Sequence, residues 1–297
     1  MSGRLGKWWF APLPRGRVAV LRSAVYAFIW FDVLLLRPWV FGHGTVPGEL
    51  YQPLFIGRLL PLPTPTATVT IGIAIALLAG AAVAASGRLR RAAGAATFFL
   101  YLEWMLIAFS YGKVDHDRFA FLVALAVLPT AGPARWGEKT ADAAAGWAVR
   151  SIQVAVVATY FLASFAKLRF GGLGWVNGAT LTRAVLRRGT FLAQPLLEVP
   201  WVLRAGQYGI MIFELASPLL LLTPRRIGYA MLAAAVLFHV VTYAAIEIIF
   251  HPHTLCLLAF LPLERLRPLV RTGDRAQRKR ELDEGRKASV ERAASPS

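Results

Sequence analysis

Tyr160-Phe161-Leu162-Ala163-Ser164-Phe165-Ala166-Lys167-Leu168, followed by Gly171-Gly172-Leu173-Gly174-Trp175-Val176-Asn177-Gly178, is the stretch whose reading decides this fold. Upstream of it the chain stays apolar back to Trp147, so residues 147–170 read as one membrane-spanning helix that ends in a glycine-rich turn. Lys167 is the only lysine inside a segment of this kind; the others fall in tails or loops. An ammonium at membrane depth is costly, and such groups mark functional sites. A lysine near a helix end can also snorkel to the interface along its own methylenes. Position alone leaves both readings open.

The rest of the chain supports the membrane reading. Of its 297 residues, 57% are hydrophobic and 16% charged, and the mean hydropathy is +0.53. That combination belongs to membrane proteins and excludes an ordinary soluble globular domain. The formal net charge of +17 does not mark a nucleic-acid binder. Much of the excess sits in the termini and short loops, as the positive-inside rule expects, and basic tails suit an anionic inner leaflet. A single cysteine, Cys256, rules out an internal disulfide and a thiolate metal cluster. No small-residue cleavage site follows the first apolar run, so that run is expected to be retained as a span.

Apolar segments fall at residues 18–36, 66–85, 95–111, 119–131, 147–170, 201–222, 227–250 and 254–263. The expected fold is therefore all-α: a polytopic integral membrane helical bundle of about eight transmembrane helices. Residues 180–188 add an amphipathic helix lying at the interface. The expected organisation is a basic cytoplasmic N-terminus (1–17), a transmembrane domain (18–263) and a disordered, basic cytoplasmic tail (264–297). Loop charges place both termini in the cytoplasm of a multi-pass protein of the cell membrane, by expectation the bacterial inner membrane. One loop conflicts with that topology. The segment after the fifth span carries Arg169, Arg183, Arg187, Arg188 and Arg204 on the outer side.

Polar residues inside the spans need partners or a wet cavity. Gln153, Tyr160 and Lys167 recur every seven residues and form one stripe. His239, Tyr243 and Glu247 recur every four, and Gln207 and Glu214 are seven apart. Three such stripes point to an inward-facing polar cluster; taken one by one, the same residues can be interhelical glue. A lysine near Glu214, Glu247 or His239 could be a desolvated neutral base or an ion-paired ammonium, and spacing does not choose between them. His116, between Asp115 and Asp117, has too few donors around it for a metal site, and none is expected. His251 and His253 flank Pro252 and read as interfacial loop residues.

The block from Tyr160 to Leu168, with Trp175-Val176-Asn177-Gly178 after it, resembles the motif of vitamin K-dependent gamma-carboxylase and its bacterial relatives, the HTTM (horizontally transferred transmembrane) domain proteins. Further segments match in the same order: residues 113–121 with His116, Phe213-Glu214-Leu215 through Pro218, and Phe238-His239. The resemblance covers roughly residues 15–265. It implies an enzyme that uses a lipid hydroquinone (reduced vitamin K or menaquinol), O2 and CO2, with Lys167 as the base on the quinol. His116 and His239 would assist it as catalytic residues. Tyr160, Trp175, Glu214 and Tyr243 would line the cofactor site, and a peptide or protein would be the substrate. The carboxylase has a large lumenal portion after its membrane bundle, and no counterpart of it appears in this sequence. Two rival readings follow: a non-catalytic membrane partner in the maturation or export of a peptide or protein, and a proton-coupled transporter, since buried Glu, His and Lys also build proton relays.

Overall fold

The structure is a computed structural model that describes residues 3–60, 62–87, 89–112 and 114–266. Nearly all of the expected 264–297 tail, and Lys113, lie outside the described residues. The architecture is helical throughout, apart from one two-residue ribbon in which Leu13–Pro14 pairs antiparallel with Ala141–Asp142. That ribbon ties the N-terminal segment to the start of the organising helix. Trp9 adds a hydrogen bond from its indole N–H to Ser151 Oγ, 3.1 Å away.

After a six-residue helix at Arg4–Trp9, the first long helix, α1 (Arg15–Phe31), runs on through a π-helical turn, Asp32–Leu36. Next come α2 (Ala67–Ala85), α3 (Arg90–Phe109) and the short α4 (Phe119–Val127). The Thr66 hydroxyl caps α2 by accepting from Val69 N–H at 3.2 Å. Helices α2 and α3 lie close because small residues face each other: a Cβ on Gly80 would sit 2.9 Å from Thr97 Oγ1. The organising helix, α5 (Ala143–Gly171), has 29 residues. At 1.5 Å per residue it is about 44 Å long, more than the roughly 30 Å hydrocarbon core requires. Asp142 caps its start through Ala144 N–H, and Gly172 ends it at φ 59°. Then follow α6 (Ala179–Arg188), α7 (Pro200–Ala216), α8 (Arg225–Ile246) and α9 (His251–Cys256).

Five helices among the described residues are long and apolar enough to cross a membrane: Arg15–Leu36, Ala67–Ala85, Arg90–Phe109, Ala143–Gly171 and Arg225–Ile246. The expected count of eight spans does not emerge, and each of the other three has a local reason. Helix α4 has nine residues and passes into a 3-10 turn, Leu128–Thr130, at Pro129. The expected 201–222 span is broken at Ser217–Pro218, where the proline cannot continue the α7 hydrogen-bond ladder. The segment expected at 254–263 is the six-residue α9 plus a 3-10 turn, Leu257–Phe260. His251 and His253 are not loop residues, because Pro252 sits in the first turn of α9, where its missing N–H costs nothing.

One apolar core joins α1 to α5 with α9, built around Tyr26, Ile29, Leu77, Trp104, Phe121 and Ile152. A second, smaller cluster of Val185, Ala193, Leu203 and Ile246 holds α6 against α7 and the end of α8. Outside these cores, Ile212, Leu215, Leu237, Val240 and Val241 are exposed on α7 and α8, as lipid-facing residues of a membrane helix are.

Candidate functional site

The α5 stripe meets α7 and α8 in a buried polar cluster. Lys167 Nζ donates to both carboxylate oxygens of Glu214 on α7, each 2.5 Å away. The lysine side chain keeps 24% of its exposure and the glutamate 7%, so the pair sits at the edge of the protein interior. Trp175 packs over the ammonium with its ring centroid 4.9 Å from Nζ. Gln207, two turns before Glu214 on α7, holds that tryptophan in place. Its Nε2 donates to the Trp175 carbonyl, and its Oε1 accepts from Leu181 N–H at 3.3 Å. The seven-residue spacing of Gln207 and Glu214 thus places one residue on Trp175 and the other on Lys167.

Two turns before Lys167 on α5, Tyr160 shares a hydrogen bond with His239 of α8, Oη to Nε2, at 2.7 Å. Its ring meets Phe213 edge-on at 5.1 Å and His253 edge-on at 4.5 Å. His239 and His253 lie 5.6 Å apart, centroid to centroid. A cavity of about 40 Å³ opens among these groups, lined in part by His116, Asp117, Tyr160, Glu214, His239 and His253. That is room for water or another molecule of a few heavy atoms. His239 Nδ1 and both ring nitrogens of His253 are buried and find no hydrogen-bond partner among the described residues. Buried polar atoms in native folds are nearly always paired, so three orphaned nitrogens around one cavity call for a small polar ligand or ordered water. Among the described residues no group of three or more His, Cys, Asp or Glu side chains is arranged to hold a metal ion.

The fold thus brings Lys167, Glu214, Trp175, Tyr160, His239 and His116 into one neighbourhood. It does not bring Tyr243, which is 51% exposed on α8. Each four-residue step on a helix turns about 40° past a full circle, so residues 239, 243 and 247 drift off one face. Glu247 is exposed as well, in the left-handed conformation (φ 53°) that ends α8. Gln153 leaves the cluster for a structural bond, donating to the Ala259 carbonyl at 2.9 Å.

Sequence reasoning overlooked His253. A histidine that opens an apolar run is the signal that could have found it. The Arg118 cluster was equally hidden. Arg118 forms a 2.6 Å ion pair with Asp32 and donates to Tyr101 Oη at 2.7 Å, while Tyr101 donates to the other Asp32 oxygen at 2.9 Å. Nearby, Arg37 pairs with Asp115 at 2.7 Å. These contacts clamp the 115–118 loop, which carries His116 and Asp117 to the cavity.

Comparison with known proteins agrees with this architecture. The HTTM domain family model matches residues 118–264, the stretch from α4 to α9 that contains the whole Lys167–Glu214 and Tyr160–His239 cluster. The chain therefore carries an HTTM domain, a membrane domain associated with vitamin K-dependent carboxylase-like proteins. No curated protein matches it, and no solved structure does.

Proposed function

We propose that this chain is a membrane-embedded acid–base enzyme of the vitamin K-dependent gamma-carboxylase-like type. The observation that carries this reading is the convergence on one small cavity of Glu214 from the ion pair, the phenol–imidazole pair and His253, whose ring nitrogens have no hydrogen-bond partner among the described residues. Glue between helices needs paired groups; it gives no reason for orphaned nitrogens around an empty space.

The donor set suits the polar end of a lipid hydroquinone, reduced vitamin K or menaquinol. Lys167, Glu214, Tyr160 and His239 would hold a hydroxyl group. The cavity is too small for the ring, which would have to stay outside it. When bound, such a molecule supplies an acidic hydroxyl and two electrons. The protein's own part is proton handling. Lys167 is held as an ion pair, so it must first pass a proton to Glu214 before its amine can accept one. Trp175 keeps the ammonium in position while that transfer runs. Tyr160 and His239 give a second route for a proton across 2.7 Å, toward the side where His253 and His116 line the cavity. Membrane lipids are the immediate surroundings, and a peptide or protein is the substrate class that the carboxylase-like reading implies, with both chain ends on the cytoplasmic side.

A second reading rests on the same ion pair. A doubly bonded Lys167–Glu214 contact locks α5 to α7, as a non-catalytic partner in peptide or protein maturation would need. One experiment separates the two: quinol oxidation under O2 by purified protein, comparing wild type with Lys167→Ala and Lys167→Arg. The enzyme reading expects oxidation in wild type and a loss of about 100-fold or more in both variants, because arginine keeps its proton. A wild type inactive with every menaquinol-like and vitamin K-like quinol would leave the non-catalytic partner.

A further inference from the structure

The segment that broke the loop-charge rule has a structural counterpart. Helix α6 presents Ala179, Thr182, Arg183, Leu186 and Arg187 on one face, the i, i+3, i+4, i+7, i+8 positions of a helix. Opposite that face stands the first turn of α7 with Pro200 and Arg204. Between them lies an open groove of about 770 Å³. Three guanidinium groups line it, and no carboxylate does. Among the described residues none of the three forms a salt bridge. Arg204 Nε donates to the Asn177 carbonyl at 3.4 Å, which fixes its stem beside the groove. Two of the first three backbone N–H groups of α6 are already engaged: Ala179 N–H by Asn177 Oδ1 and Leu181 N–H by Gln207 Oε1. The charge that faces the groove is therefore carried by arginine side chains.

The surroundings of the groove are apolar and uncovered. Phe170, Leu173, Phe191 and Trp201, before and after α6, are all at least 70% exposed. Large bare aromatics and leucines next to an amphipathic basic helix describe a surface that lies in the boundary between headgroups and acyl chains. A guanidinium is the side chain best matched to a phosphate, which it can grip through two parallel N–H bonds.

We infer that this groove is a binding site for the phosphate-bearing headgroup of an anionic phospholipid, with Arg183, Arg187 and Arg204 as its ligands. The exposed apolar rim receives the acyl chains. The arrangement also accounts for three of the five arginines in a loop where the charge rule places few. Their charge is answered by the lipid, so the segment need not lie on the cytoplasmic side. The inference stands apart from the Lys167 chemistry and holds whether or not the chain is an enzyme.

The test is thermal melting of the full chain in a zwitterionic detergent, titrated with short-chain phosphatidylglycerol, with phosphatidylcholine of the same chain length, or with inorganic phosphate. Phosphatidylglycerol should raise the Tm saturably, with a midpoint at least tenfold lower than phosphatidylcholine. The R183Q/R187Q variant should remove that difference. Both positions are exposed, so the fold should survive. R225Q/R226Q, in the turn before α8, should retain the difference. Equal action of the two lipids, or equal loss in R225Q/R226Q, would overturn the site. Reproduction of the shift by inorganic phosphate alone would overturn the lipid assignment in favour of a free-anion site.

Discussion

Two buried ion pairs use the same chemistry in opposite ways. Asp32 and Arg118 meet at 2.6 Å with side chains 0% and 4% exposed, and Tyr101 completes the cluster by bonding to both. It joins α1, α3 and the loop that leads into α4. Lys167 and Glu214 meet at 2.5 Å but are partly accessible, stand beside a cavity and border orphaned histidine nitrogens. A buried pair is weak evidence of net stabilisation, since desolvation consumes much of the Coulomb gain. What distinguishes the two is therefore accessibility. The first is sealed from the surface and holds helices together. The second is open on one side, and an open polar site in a membrane helix bundle is where chemistry becomes feasible.

The largest effect should come from breaking the closed cluster. Arg118→Met leaves Asp32 charged and unpaired in the interior, which should cost about 3–5 kcal/mol. Melting in detergent, or the yield of folded protein, reads it directly. Survival of Arg118→Met with an unchanged Tm would show that Asp32 is not held as a charge, and the contrast between the pairs would fail. The open pair should be more tolerant. Lys167→Met should cost about 1–3 kcal/mol, the penalty for a partly buried group left without its partner. The double variant Lys167→Met/Glu214→Leu should recover most of that stability. Quinol oxidation should stay lost in the double variant; if it returns, the pair is a clamp like the first.

A smaller change is expected from Tyr160→Phe, which removes one hydrogen bond to His239 at about 0.5–1.5 kcal/mol. If Tyr160 is part of a proton route, oxidation should fall by more than that stability change accounts for. The smallest effect concerns the half-buried pair of Arg17, at the start of α1, with Glu264 beyond the last span. Burial pushes the Glu264 carboxyl up, but the two hydrogen bonds from Arg17, a backbone bond and the charges of Arg17 and Arg265 outweigh it and hold the pKa below its ordinary value. A depressed carboxylate adds stability above its unfolded pKa, and that stability is lost as pH falls through the folded pKa. The Tm of wild type should thus decline below about pH 4 more steeply than that of Glu264→Gln. Parallel curves would show that the pair contributes nothing measurable.

Hydropathy and spacing were enough to read five long helices, the amphipathic α6 and the seven-residue register of Tyr160 with Lys167, and of Gln207 with Glu214. Each of these depends on residues close in the chain. The broken 201–222 segment, the end of α8 at Glu247 and the short α9 were harder to read, because apolar composition continues through all three while the backbone does not. His253 looked like a loop residue for the same reason: a His-Pro-His run is polar on its own, and only packing against Tyr160 and His239 buries it.

Composition and periodicity, which are local, determined that this chain is a helical membrane protein with a lysine set into its organising helix. Which charge meets that lysine was decided only by the tertiary structure, since Glu214 lies 47 residues away and Glu247 and His239 were equally plausible from spacing. The same is true of Asp32 and Arg118, and of the three arginines gathered at one groove. Partners brought together by helix packing leave no mark on the local pattern, and the energy of a buried charge depends on which partner it finds.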